Sequence, residues 1–165
     1  MPFALAAAVL LLDQATKLGA LDGLASRSPV ALIPSLLTLR LRYNTGAAFG
    51  LMGGSSLLLV VLAVLVIVLL VTFGHRTALH CRPLLVGIAL QIGGAAGNLV
   101  DRVRLGHVVD FIDVRLTPTY TWPTFNVADM AICCGAGLMA YVLFTGQAEE
   151  RPAAPDTPAP AGDRQ

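Results

Sequence analysis

The sequence predicts a mainly α-helical integral membrane fold, with four transmembrane helices and a small β-sheet and loops gathered at one membrane face. Three observations carry this. Charged residues make up only 13% of the 165 residues, where a water-soluble domain holds roughly a quarter. Hydrophobic residues make up 56%, and the mean hydropathy is +0.74. Four separate apolar runs each approach the ~20 residues that a spanning helix needs.

The first run covers about 2–21 and is interrupted by Asp13 and Lys17. Its opening "MPFALAAAVLLL" lacks the basic region and small-residue cleavage site of a secretory signal, so it reads as the start of a retained helix. The second run, about 55–73, holds no charge and suits a lipid-facing position. The third, about 83–100, carries Gly93, Gly94, Ala95, Ala96 and Gly97. Small residues let a neighbouring backbone approach closely, which predicts a central place for it. The fourth covers about 126–145. Residues 1–148 therefore read as one membrane-embedded domain, and the Pro/Ala-rich stretch 149–165 as a disordered tail.

The loops set the topology. Four spans put both termini on one side, and the short basic loop "GHRTALHCR", 74–82, favours the cytoplasm for that side. The longer loops, about 22–54 and 101–125, then share the outer side. Within them "LTLRLRY", 37–43, alternates like a half-buried strand, and "HVVDFIDVR", 107–115, does so in part. A small sheet at the outer surface fits both. Cys81, Cys133 and Cys134 show no zinc-type spacing, and Cys133 and Cys134 read as small buried hydrophobes. The net charge of +1 excludes a basic nucleic-acid surface.

The polar residues of the apolar runs fall at one membrane face. Asp13 and Lys17 lie in the second half of the first helix, Asn98, Asp101 and Arg102 at the end of the third, and Asn126 and Asp129 at the start of the fourth. Asn44 and Asp110 lie in the two outer loops. Each has an ordinary reading. Asp13 and Lys17 have the spacing of a helical ion pair, Asp101 can pair with Arg104, and Asn126 with Asp129 fits a capping box. Asp110 and Asp129 together ask for more, because each sits in apolar sequence, "VVDFI" and "NVADMAI". Two carboxylates meeting in a low-dielectric pocket share a proton. The ionised one can activate water and the protonated one can donate to a carbonyl oxygen, which is the chemistry of an aspartic protease.

Five blocks, "DQATK" at 13–17, "NTGAAFG" at 44–50, "GGAAGNLVDR" at 93–102, "VVDFI" at 108–112 and "FNVADMAI" at 125–132, resemble those of lipoprotein signal peptidase, or signal peptidase II, in the same order. The resemblance implies a bacterial inner-membrane endopeptidase with its active site near the periplasmic face and both termini cytoplasmic. It implies Asp110 and Asp129 as the catalytic pair, and Asn44, Asn98, Arg102 and Asn126 as substrate-binding or supporting residues. Asp13 and Lys17 become structural or orienting. It implies cleavage of diacylglyceryl-modified prolipoproteins just before the lipidated cysteine, with no cofactor and no metal. Membrane lipids are expected neighbours, and a monomer is expected.

Three rival readings remain. Asp101, His107, Asp110, Asp113 and Asp129 could ligate a metal, although no H-E-x-x-H helix is present. "DGLASR", 22–27, faintly resembles a phosphatidyltransferase signature without its spacing. A carrier of lipidated peptides would also hold polar intramembrane groups, but no inverted repeat is visible.

Overall fold

The structure is a computed structural model that describes residues 2–46, 56–74 and 81–146. Residues 75–80 of the basic loop, 47–50 of the "NTGAAFG" block and the 149–165 tail lie outside the described residues.

Among the described residues there are four α-helices: α1 (Pro2–Leu24), α2 (Ser56–Leu69), α3 (Arg82–Leu105) and α4 (Val127–Phe144). Three of them, α1, α3 and α4, are long and apolar enough to cross a membrane, and α2 is a shorter apolar helix. Its 14 α-helical residues rise about 21 Å, and the chain continues as a π-helical turn over Leu70–Gly74. The Thr72 hydroxyl donates to the Val68 carbonyl at 2.7 Å, a local bond that competes with regular helix geometry.

The centre of the bundle is α3, which packs on α1, α2 and α4. Glycine makes this possible. A Cβ on Gly93 would lie 2.6 Å from the Ala6 carbonyl oxygen of α1, and one on Gly94 would lie 2.5 Å from the Ala128 carbonyl oxygen of α4. Both α1 and α3 run further than the sequence predicts. In α3 the charged segment through Arg104 stays helical and ends at Gly106, whose φ of 77° is left-handed. The buried residues of α1 are Ala6, Asp13, Lys17 and Ala20, one stripe turned toward α3.

The cysteines depart from expectation. Cys81 is buried, packed with Leu84, Ile88 and Val142, but Cys133 and Cys134 are exposed. The buried face of α4 is built from Ala128, Ala131, Gly135 and Val142, which leaves the two thiols on the outward face.

Among the described residues the sheet has three antiparallel strands in the order β1 (Val30–Ile33), β2 (Leu37–Asn44) and β3 (Val108–Val114). β2 and β3 match the alternating segments, and β1 is an addition. Asp110, placed in a loop by the sequence, lies inside β3, in register with Arg42. Beyond β3, the 121–125 segment adds single bridges at Arg115–Thr121 and Ile112–Phe125. The Phe125 carbonyl accepts the Phe111 and Ile112 N–H groups at 3.1 and 2.9 Å. The next residue is Asn126, which caps α4, so the strand bearing Asp110 is tied almost directly to the helix bearing Asp129.

Candidate active site

The site grows from the start of α4. Asn126 is the N-cap. Its Oδ1 accepts the Asp129 N–H at 2.9 Å, and the Asp129 Oδ2 accepts the Asn126 N–H at 3.2 Å. The expected capping box is therefore present. The same Asn126 side chain donates through Nδ2 to Asp110 Oδ1 at 2.7 Å. One fully buried residue thus holds both carboxylates, Asp110 by its side chain and Asp129 by its backbone.

Each acid has a second asparagine. Asn44, at the end of β2, donates to Asp110 Oδ2 at 2.9 Å. Asn98, on α3, donates to Asp129 Oδ1 at 2.8 Å. The Arg102 guanidinium donates to the Asn98 carbonyl at 3.3 Å and lies within electrostatic reach of Asp129, Asp110 and Asp101. Asp110 is 2% exposed. Burial pushes its carboxyl up from the ordinary 3.8 to about 6; the hydrogen bond from Asn44 opposes the shift, the charge of Asp129 adds to it, and Asn126 and Lys17 oppose it. Such a group can hold or release a proton near neutral pH.

Beneath this layer lies a second one. The Lys17 ammonium is paired with Asp13 Oδ2 at 2.8 Å and Asp101 Oδ2 at 2.9 Å, and it donates to Asn98 Oδ1 at 3.0 Å. Its three protons have three partners. Asp101 therefore pairs with Lys17, where the sequence suggests Arg104. Gln14, which sequence reasoning passes over, donates to Asp101 Oδ1 at 2.9 Å and to the Gly97 carbonyl at 3.2 Å. The available signal was an amide beside Asp13 in a spanning helix, where unpaired polar groups are costly.

All the sequence-predicted residues, Asp13, Lys17, Asn44, Asn98, Arg102, Asp110, Asn126 and Asp129, converge here. The five possible metal ligands do not. Asp101 is taken up by Lys17, Asp113 accepts from Thr124 and pairs with Arg40, and His107 stacks edge-on against Tyr43. Among the described residues no three His, Cys, Asp or Glu side chains gather as a metal-binding group. Asp110 and Asn44 also border an open cleft of about 590 Å³ along the sheet, walled by Arg42, Arg115 and Trp122.

This arrangement meets its relatives in the known proteins. The family described as Signal peptidase (SPase) II matches residues 5–145. The chain belongs to the signal peptidase II family. The lipoprotein signal peptidase of Pseudomonas putida is 42% identical over 148 residues, covering 87% of this chain and 86% of that one. That of Moorella thermoacetica is 39% identical over 152 residues, covering 91% and 97%. A solved bacterial membrane enzyme superposes with a TM-score of 0.79 at 28% identity, covering 93% of both chains. A second gives 0.79 at 31% identity, covering 86% and 91%. As a member of the signal peptidase II family the chain is an integral membrane protease that removes signal peptides from prolipoproteins.

Proposed function

We propose that this protease is an aspartic endopeptidase in which Asp110 and Asp129 share one proton and one water. The observation that carries the proposal is Asn126, which bonds both carboxylates at once while Asp110 holds its proton up to about 6. The pair titrates as one unit. The ionised carboxylate takes a proton from water, and the water oxygen bonds to the scissile carbonyl carbon. The protonated carboxyl gives its proton to the carbonyl oxygen, and a tetrahedral diol forms. As the C–N bond breaks, the protonated carboxyl gives its proton to the leaving nitrogen and one diol hydroxyl returns its proton to the ionised carboxylate, so the pair keeps the single proton it began with.

The substrate in this reading is a diacylglyceryl-modified prolipoprotein, cut just before the lipidated cysteine. Its acyl chains remain among the helices, and their binding energy orients the reacting bond at the carboxylate layer. Asn44, Asn98, Arg102 and Asn126 hold the carboxylates or contact substrate, and Asp13 and Lys17 orient them. The enzyme sits in the bacterial inner membrane as a monomer, termini in the cytoplasm and site toward the periplasm.

The test uses the purified full chain in lipid nanodiscs with a synthetic peptide carrying S-diacylglyceryl cysteine at the junction. Asp110→Asn and Asp129→Asn are each expected to insert normally and to lose cleavage by at least about 10³-fold. Near-parental turnover in either variant ends the two-aspartate reading. Full activity after dialysis against a strong chelator is expected, and a metal-restorable loss would favour metal chemistry.

A further inference from the structure

The layer beneath the two aspartates has an internal symmetry. Asp13 Oδ1 accepts the N–H of Ala128 at 2.9 Å, and Ala128 is the residue immediately before Asp129. Asp101 Oδ2 accepts the N–H of Val109 at 3.0 Å, and Val109 is the residue immediately before Asp110. Both accepting carboxylates are gripped by one ammonium, that of Lys17. A lysine can only donate, so its third bond also fixes the Asn98 amide: Oδ1 faces Lys17 and Nδ2 must face Asp129. Gln14 ties the two grips together, touching Asp13 Oδ2 at 3.3 Å and Asp101 Oδ1 at 2.9 Å.

From these contacts we infer that Lys17 is a positioning residue that sets the placement of Asp110 relative to Asp129, acting through Asp13 on the backbone before one and through Asp101 on the backbone before the other. It joins α1, α3, β3 and the start of α4, of which only α3 and β3 lie close together in sequence. Lys17 is 2% exposed and Asp13 0%, so the clamp works without bulk water to screen it. Its charge also faces Asp110, as do Asn44 from β2, Arg102 from α3, and Asn126 and Asp129 from α4.

The inference rests on the two-aspartate reading above, and the experiment separates the two. Lys17→Met removes the charge and the three donors at similar volume. In nanodiscs, with the same S-diacylglyceryl peptide, kcat is expected to fall about 100-fold while KM stays within about threefold, because misplaced reacting groups cost turnover more than binding. The alkaline limb of the kcat/KM profile is expected to move to higher pH, since a positive charge that favoured ionised Asp110 is gone. A merely structural lysine would not move that limb. Should Lys17→Met fail to accumulate in folded form, Asp13→Asn takes its place. It keeps an oxygen for the Ala128 N–H but loses the charge that Lys17 grips, and kcat is expected to fall about tenfold at constant KM. Parental kcat with an unmoved limb in Lys17→Met, or parental kcat in Asp13→Asn, overturns the clamp when Asp110→Asn is inactive. If Asp110→Asn and Asp129→Asn both turn over normally, the two-aspartate reading fails and takes the clamp with it.

Discussion

At the scale of single residues, Asn126 ends a helix and steers a carboxylate with one side chain. The two duties can be separated. Asn126→Ser keeps a good N-cap oxygen, so helix capping should change little, but serine cannot reach Asp110 with an amide. Losing that donor removes an interaction that favours ionised Asp110, and the alkaline limb of activity is expected to rise in pH. The parent enzyme sets the reference. Asp110 holds its proton up to about 6, so the form with Asp110 protonated gives way above that value. The alkaline limb of kcat/KM, which reports the free enzyme, is expected near 6. Substrate that excludes water deepens the desolvation and should push the limb of kcat higher. A kcat limb at or below that of kcat/KM would contradict this account.

At the scale of elements, the packing of α3 sets how closely the polar layers approach. Gly94→Ala places a methyl against the Ala128 carbonyl, one residue before Asp129. The expected result is a loss of about 1–3 kcal/mol in stability, seen as a lower melting temperature in detergent, together with reduced cleavage. Gly137, on the outward side of α4, has nothing within 4 Å of an added Cβ. Gly137→Ala should hold or raise the melting temperature, by about 0.5–1 kcal/mol.

The elements also show what the sequence could say. The helices follow from apolar length, and β2 and β3 from alternation. The capping box was readable because its four groups lie within four residues. β1 escaped notice because "VALI" between Pro29 and Pro34 is short and does not alternate. The pairing of Asp101 was misread because the nearest basic side chain in sequence, Arg104, competes on paper with Lys17, which is adjacent only after folding. The bonds from Asp13 and Asp101 to the backbone were illegible for a deeper reason. Every residue but proline offers the same N–H, so side-chain type carries no trace of which one is used.

At the scale of the whole molecule, the polar layers, the sheet and the open cleft occupy one end of the bundle, and the reading above puts that end outside the cytoplasm. Ser28, exposed between α1 and β1, tests it. In a cysteine-free background, Ser28→Cys is expected to react with a membrane-impermeant maleimide on intact spheroplasts. Labelling only after permeabilisation would reverse the orientation.

The attachment of α2 has its own consequence. Where α3 is wedged between α1 and α4, α2 leans chiefly on α3 and turns Leu57, Val61, Leu65 and Val68 outward. None of the ionic contacts under the two aspartates involves it. A shift of this one wall would therefore leave the Lys17 ion pairs with Asp13 and Asp101 in place, so the flank of the bundle and its charged centre can yield independently.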